Sequence, residues 1–253
     1  MLKRIVIKLG GASLSENAVI EKLAVLVKGY LDSNTQVVLV HGGGPAINQE
    51  LTSKGITWEF VNGQRKTTPE MMTVIEDVLA HQVNQNIVRS LQNQKISAIG
   101  LSGASGLLEC RILNSDLGLV GEVIQCHLGS VEDALKQQLI PVIAPIGFDH
   151  DGRKFNINAD WAASQIAANL NADKLVFLTD QLGILDADKK VCPTVTKDEI
   201  ENMINCGVIA GGMLTKTKAM ISAKNKGVRT VQISAAAKAP DLLNNDTVGT
   251  SLI

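Results

Sequence analysis

The chain is punctuated by short apolar runs, each ended by glycines or a turn and followed by a helical stretch. The runs cover residues 4–7, 36–40, 96–101, 140–146, 174–179 and 229–234. Val37-Val38-Leu39-Val40 has no polar alternation, as expected of a strand buried on both faces. Residues 16–30 read as a helix with Ile20, Leu23, Ala24, Leu26 and Val27 on one apolar stripe. A long helix is predicted over 69–92, and others start near Ser130, Asn158, Thr196 and Leu214. Thr196 with Glu199 spells a capping box, and Gly207 and Gly227 stand where helices should stop. This alternation predicts an α/β fold, a three-layer αβα sandwich around a mainly parallel sheet. Residues 107–126 and 147–155 differ: each reads as a hairpin, around Asn114-Ser115-Asp116 and around Asp151-Gly152. With no Pro/Ser-rich linker, the expectation is a single domain over 1–253, one continuous sheet with a hairpin-bearing lid.

Composition excludes several functions. Lys+Arg (24) nearly balances Asp+Glu (25), and aromatic residues are 3%, so neither a basic nucleic-acid surface nor a base-stacking platform is expected. No apolar stretch reaches the roughly 18 residues of a membrane span, and the short, charge-interrupted run over residues 1–8 is not expected to be a signal peptide. The four cysteines form no C-x-x-C pair and fit no zinc spacing, so reduced cysteines in a cytoplasmic protein are expected and no protein metal ligand is assigned.

Glycine is abundant, with 22 residues, and it is placed. Gly10-Gly11, Gly42-Gly43-Gly44 and Gly147 follow strands, Gly183 follows the strand ending at Thr179, and Gly211-Gly212 precedes a helix. In open α/β sheets ligands bind at the carboxyl ends of strands, where glycine lets backbone amides approach an anion. Such loops converging on one edge point to phosphate chemistry. The pattern is not a P-loop, since G-x-x-x-x-G-K-[ST] is absent, and no G-x-G-x-x-G follows a strand. His41-Gly42-Gly43-Gly44 looks like an esterase oxyanion loop, but the G-x-S-x-G nucleophile motif is missing.

Phosphoryl transfer needs placed positive charge. Lys8 ends a buried strand just before Gly10-Gly11, an unusual place for a surface lysine. Asp160 falls in the first turn of the helix opened by Asn158, where a carboxylate can orient lysines. Lys216 and Lys218 lie about 200° apart on one helix, so at most one points inward. Lys216, nearer the glycines, is preferred. Arg65 precedes the long helix and suits bidentate capture of a carboxylate.

Taken in order, these pieces resemble the amino-acid kinase family over essentially the whole chain. They are Ile7-Lys8-Leu9-Gly10-Gly11, Val40-His41-Gly42-Gly43-Gly44-Pro45, Asn62-Gly63-Gln64-Arg65, Asp116-Leu117-Gly118-Leu119-Val120-Gly121 and Asn156-Ile157-Asn158-Ala159-Asp160. Leu178-Thr179-Asp180, Gly183-Ile184-Leu185-Asp186, Gly212-Met213-Leu214-Thr215-Lys216 and Val248-Gly249-Thr250 complete the set. The nearest members phosphorylate N-acetyl-L-glutamate. The resemblance implies an eight-stranded sheet, with an N-terminal lobe (about 1–170) for the acyl amino acid and a C-terminal lobe (about 171–253) for ATP. It implies transfer of the γ-phosphoryl group of ATP to the side-chain carboxylate of N-acetyl-L-glutamate, with Mg²⁺ carried by the nucleotide phosphates. Lys8 and Lys216 would stabilise the moving group, Asp160 would organise them, and Gly11 and Gly44 would donate backbone N–H bonds. Gly43, Gly44, Arg65 and Asn156 would hold the acceptor. Gly10, Asp180, Gln181, Leu182, Gly183, Ile184, Leu185, Val208, Ile209 and Ala210 would line the nucleotide pocket. The resemblance also implies a homodimer not inhibited by arginine, since no helical extension precedes Lys8. The long helix, with apolar Met72, Val74, Ile75, Val78 and Leu79, is the expected interface. Three departures stand out: Ser102-Gly103-Ala104-Ser105-Gly106 lacks the family's usual Lys-Asp, Lys66 replaces a common Val, and Gln232-Ile233-Ser234-Ala235-Ala236 lacks an Asp-Gly.

Overall fold

Side chains alternate across a strand, so a sheet covered by helices on both faces should split its core in two. The computed structural model of the chain describes residues 2–11, 17–61, 63–245 and 248–253; Glu16 and Asn62 lie outside the described residues. In chain order the first elements are β1 (Lys3–Leu9), α1 (Asn17–Asp32), β2 (Thr35–His41), α2 (Gly44–Ser53), β3 (Phe60–Val61), β4 (Gln64–Arg65), α3 (Pro69–Glu76) and α4 (Asn84–Asn93). Then come β5 (Ala98–Ser102), β6 (Leu108–Ile112), β7 (Gly121–Cys126), α5 (Gly129–Lys136), β8 (Ile140–Ala144), β9 (Ile146–Phe148), β10 (Lys154–Asn156) and α6 (Ala159–Asn169). The last are β11 (Lys174–Thr179), β12 (Thr194–Val195), α7 (Lys197–Asn205), α8 (Gly211–Asn225), β13 (Thr230–Ala235) and β14 (Thr250–Leu252).

The main sheet has eight strands in the order β12-β14-β13-β11-β1-β2-β8-β5. From β13 to β5 all pairings are parallel; β14 runs against β13, and β12 follows β14. Val6, Val38, Val40, Leu175 and Phe177 pack on one face under α6 and α8. Ile5, Ile7, Val37, Leu39, Val176 and Leu178 pack on the other, against α1 and α4. The expected three-layer sandwich is therefore present. No helix among the described residues is long and apolar enough to cross a membrane.

Several elements differ from expectation. The two hairpins form, but instead of extending the main sheet they make a separate four-stranded sheet, β10-β9-β6-β7. Helix α8 begins at Gly211, three residues before Leu214, and β5 begins at Ala98 rather than Ile96. The long helix is interrupted by a π-helical segment, Asp77–Val83. Its apolar residues Met72, Val74, Ile75, Val78 and Leu79 are buried within their own chain, against Ile47, Leu51 and Ile146. They are wider than one stripe because two sides of the helix are covered within the chain. The capping box is present, with Thr196 accepting from Glu199 N and Glu199 accepting from Thr196 N.

Candidate active site

The register of β1 decides where Lys8 points. Lys8 shares parity with Val6, so it faces α6, between Val40 of β2 and Phe177 of β11. There Asn158 caps α6 by accepting from Asp160 N at 2.9 Å, which sets Asp160 in the first turn. One Asp160 oxygen lies 2.6 Å from Lys8 Nζ and the other 3.0 Å from Lys216 Nζ. Lys8 and Asp160 are each about 5% exposed, so the ion pair is buried. Burial pulls the Lys8 ammonium below its ordinary pKa, with Asp160 opposing and Lys216 reinforcing. Burial alone would raise Asp160, but the two lysines outweigh it and hold the carboxyl below its ordinary range. Lys218, on the same helix, is exposed.

The two glycine loops press together beside this cluster. A Cβ on Gly11 would lie 2.8 Å from the backbone nitrogens of both Gly43 and Gly44, so only glycine allows the approach. Gly44 opens α2, whose N-terminal amides and dipole favour an anion. Gly147 behaves otherwise. It lies inside β9, where a Cβ would collide with Cys110 Sγ, so its smallness serves packing and not phosphate.

Arg65 lies on the β4 arm of a hairpin whose turn residue Gly63 has φ +77°. Its side chain is 5% exposed. Nη2 donates to Asn48 Oδ1 and, at 3.4 Å, to the Gly44 carbonyl. The guanidinium carbon lies 5.1 Å from the Trp58 ring centre and 4.6 Å from that of Phe60. Burial lowers the Arg65 pKa to about 10, which leaves it charged at neutral pH. Nη1 is buried without a partner among the described residues, as a donor awaiting an anion would be. Asn156 is tied to the same hairpin: its Nδ2 donates to Thr67 Oγ1 at 3.1 Å, and Thr67 Oγ1 donates to the Arg65 carbonyl at 2.8 Å. Asn48, Trp58, Phe60 and Thr67 were not identified from sequence. Only their packing around Arg65 reveals them.

Two cavities meet at the charged cluster. One, of about 240 Å³, is lined by Gly43, Gly44, Arg65, Asn156 and Asp160. The other, of about 560 Å³, is lined by Gly10, Asp180, Gln181, Gly183, Leu185, Val208, Ile209 and Ala210. Lys8, Gly11 and Lys216 line both. Two residues expected in the second cavity are elsewhere. Ile184 is fully buried in the core with its N–H donated to Thr250 Oγ1, and Leu182 is 56% exposed away from the lining. Thr179, Gly212 and Met213 join the lining instead. Lys66 faces neither cavity; it pairs with Glu59 at 3.0 Å on the outside of the hairpin. Among the described residues, one group of three potential metal-ligating side chains comes together, Asp149, His150 and Asp151, in the β9–β10 turn outside both cavities.

Residues 3–234 match the model of the amino acid kinase family. The chain belongs to the amino acid kinase family. Within that family it is 41% identical to an acetylglutamate kinase of Geobacillus sp. (strain WCH70), spanning 100% of this chain and 97% of the relative. An acetylglutamate kinase of Aquifex aeolicus (strain VF5) is 38% identical over 91% of this chain and 84% of its own length. Among solved structures, smu.665 from Streptococcus mutans UA159 superposes with a TM-score of 0.87 at 28% identity, covering 98% of each chain.

Proposed function

We propose that this family member transfers the γ-phosphoryl group of ATP to the side-chain carboxylate of N-acetyl-L-glutamate, giving N-acetyl-L-glutamyl 5-phosphate for arginine biosynthesis. The observation that carries the reading is the pair of cavities joined at Lys8, Gly11 and Lys216. The larger, on the C-terminal lobe, takes ATP; the smaller, on the N-terminal lobe, takes the acceptor. A carboxylate oxygen attacks phosphorus, the bond to the β–γ bridging oxygen breaks, and ADP leaves. Charge spreads over the transferring oxygens, and little covalent work falls to the protein. Lys8 and Lys216 neutralise that charge, Asp160 fixes both ammonium groups, and the Gly11 and Gly44 amides donate to the group. Mg²⁺ supplies further charge neutralisation when bound; this ion keeps to phosphates and water, and among the described residues Asp180 is the one carboxylate lining the nucleotide cavity.

The acceptor cavity also argues for an acylated amine. Arg65 offers Nη1 to the α-carboxylate, and Asn156 leaves its amide oxygen for the acetamido N–H. Asp160 is the only carboxylate lining this cavity among the described residues, and two lysines already occupy it. A free ammonium would be buried there without a counter-ion, which is costly. Acetylation removes that charge. We further assign the chain to the cytoplasm as a homodimer, a reading that rests on the resemblance to the family alone. The assay is ADP formation from ATP with each acceptor. N-acetyl-L-glutamate should be turned over well and L-glutamate and 2-aminoadipate poorly; equal turnover of either alternative overturns the substrate assignment.

A further inference from the structure

The glycine loop after β2 is held from beneath by side chains that have no part in the mechanism above. The π-helical segment Asp77–Val83 precedes Asn84, and such wide turns re-aim the residues around them. Asn84 is 1% exposed and points into the sheet. Its Nδ2 lies 2.8 Å from the Val142 carbonyl and 3.1 Å from His41 Nε2. His41, fully buried, places Nδ1 2.9 Å from the Gly42 carbonyl. A carbonyl only accepts, so Nδ1 carries the proton and Nε2 accepts from Asn84. Both protons of the Asn84 amide are thereby used.

This arrangement has a consequence for the loop. In a trans peptide the C=O and N–H point in opposite directions. Anchoring the Gly42 carbonyl on the imidazole therefore turns the Gly43 N–H away from it. The Gly43 and Gly44 nitrogens border the space beside Gly11, at the charged cluster. Two further contacts fit the brace. Leu79, in the π-helical segment, occupies the place of a Cβ on Gly43, and Asn84 Oδ1 occupies the place of a Cβ on Gly100 in β5. Glycine at both positions lets the brace close.

We propose that Asn84 and His41 are positioning residues for phosphoryl transfer: their hydrogen bond fixes the Gly42–Gly43 peptide and aims the loop amides at the moving group. The proposal rests on the kinase reading above. Asn84→Leu keeps the branched shape and removes both donors. It should lower kcat by about 10- to 100-fold with the KM for ATP within about twofold, as misplaced groups do. His41→Gln retains an acceptor for Asn84 and should keep kcat within about threefold, whereas His41→Leu should behave like Asn84→Leu. Ile87→Val, in the core of α4, controls for lost stability and should leave kcat unchanged.

Hydrogen exchange at the Gly42–Gly44 amides gives a second readout that does not depend on the substrate. It should quicken in Asn84→Leu and not in Ile87→Val. Wild-type turnover with unchanged kcat and exchange in Asn84→Leu overturns the brace and leaves the kinase reading intact. A wild type inactive on N-acetyl-L-glutamate, with a loosened loop in Asn84→Leu, overturns the substrate and supports the brace. Should Asn84→Leu fail to fold, the His41 pair decides, and equal kcat for His41→Gln and His41→Leu overturns the proposal.

Discussion

The two cavities that meet at Lys8 are built from different materials. The smaller cavity, proposed for the acceptor, is walled by polar side chains, buried at Arg65 and Asp160 and half-buried at Asn156, each fixed by a partner: Arg65 by Asn48 and two rings, Asn156 by Thr67, Asp160 by two lysines. The larger cavity, proposed for the nucleotide, is walled by backbone at Gly10 and Gly183 and by aliphatic side chains such as Leu185 and Ile209, and Asp180, the one carboxylate among its described lining residues, is exposed. Buried paired charges discriminate strongly, because a wrong ligand leaves them unpaired. Backbone and aliphatic walls discriminate weakly. Selectivity should therefore reside on the acceptor side, and damage there should be severe and specific.

The largest effect is expected where the cavities join. Lys8→Ala should lower kcat by about 10²- to 10³-fold with modest change in the KM for ATP; a change confined to KM would place Lys8 on the nucleotide side only. Next comes acid stability, on the acceptor side. Burial lowers the His41 pKa from 6.5 to about 4. Between these values the unfolded chain takes up a proton that the folded chain does not. Stability from this group is therefore intact above pH 6.5 and lost progressively down to pH 4, by about 3 kcal/mol. Urea unfolding at pH 7 and pH 4.5 should show a flatter dependence in His41→Gln than in the wild type.

Arg65→Gln should then raise the KM for the acceptor by about 10- to 100-fold, the value of a charge-assisted hydrogen bond, and leave that for ATP unchanged. Arg65→Lys should not restore it, since lysine cannot reproduce a stacked, forked cation. A comparable rise for ATP would erase the contrast between the cavities. Trp58→Ala gives the smallest effect. Losing one ring from the guanidinium is worth about 0.5–1 kcal/mol, so the acceptor KM should rise about two- to fivefold.

What the sequence disclosed follows a physical divide. The strands, the capping box and Lys8 were legible because strand parity and local hydrogen bonds are written in consecutive residues. Asp160 and Lys216 were legible because each sits in a helical first or second turn beside an asparagine or glycine signal. Long-range packing was not. The π-helical segment leaves the 3.6-residue pattern nearly intact, so the long helix read as regular. Gly147 looked like a strand-end loop glycine, but Pro145 and the next short strand carry it into the second sheet against Cys110. Met72 and Val74 widen the apolar face because the helix is buried on two sides within one chain, and composition alone does not distinguish that from burial against a partner. The rings around Arg65 approach it from a separate stretch of the hairpin, and spacing alone does not predict a stack.

The central claim is that a carboxylate in the small cavity receives a phosphoryl group from a nucleotide in the large one, and that acylation of the amine selects the acceptor. An acyl phosphate reacts with hydroxylamine, so trapping the product as a hydroxamate measures this directly. With ATP and N-acetyl-L-glutamate, hydroxamate should accumulate in step with ADP, and L-glutamate should give far less. ADP released without hydroxamate, or equal hydroxamate from L-glutamate, would contradict the account.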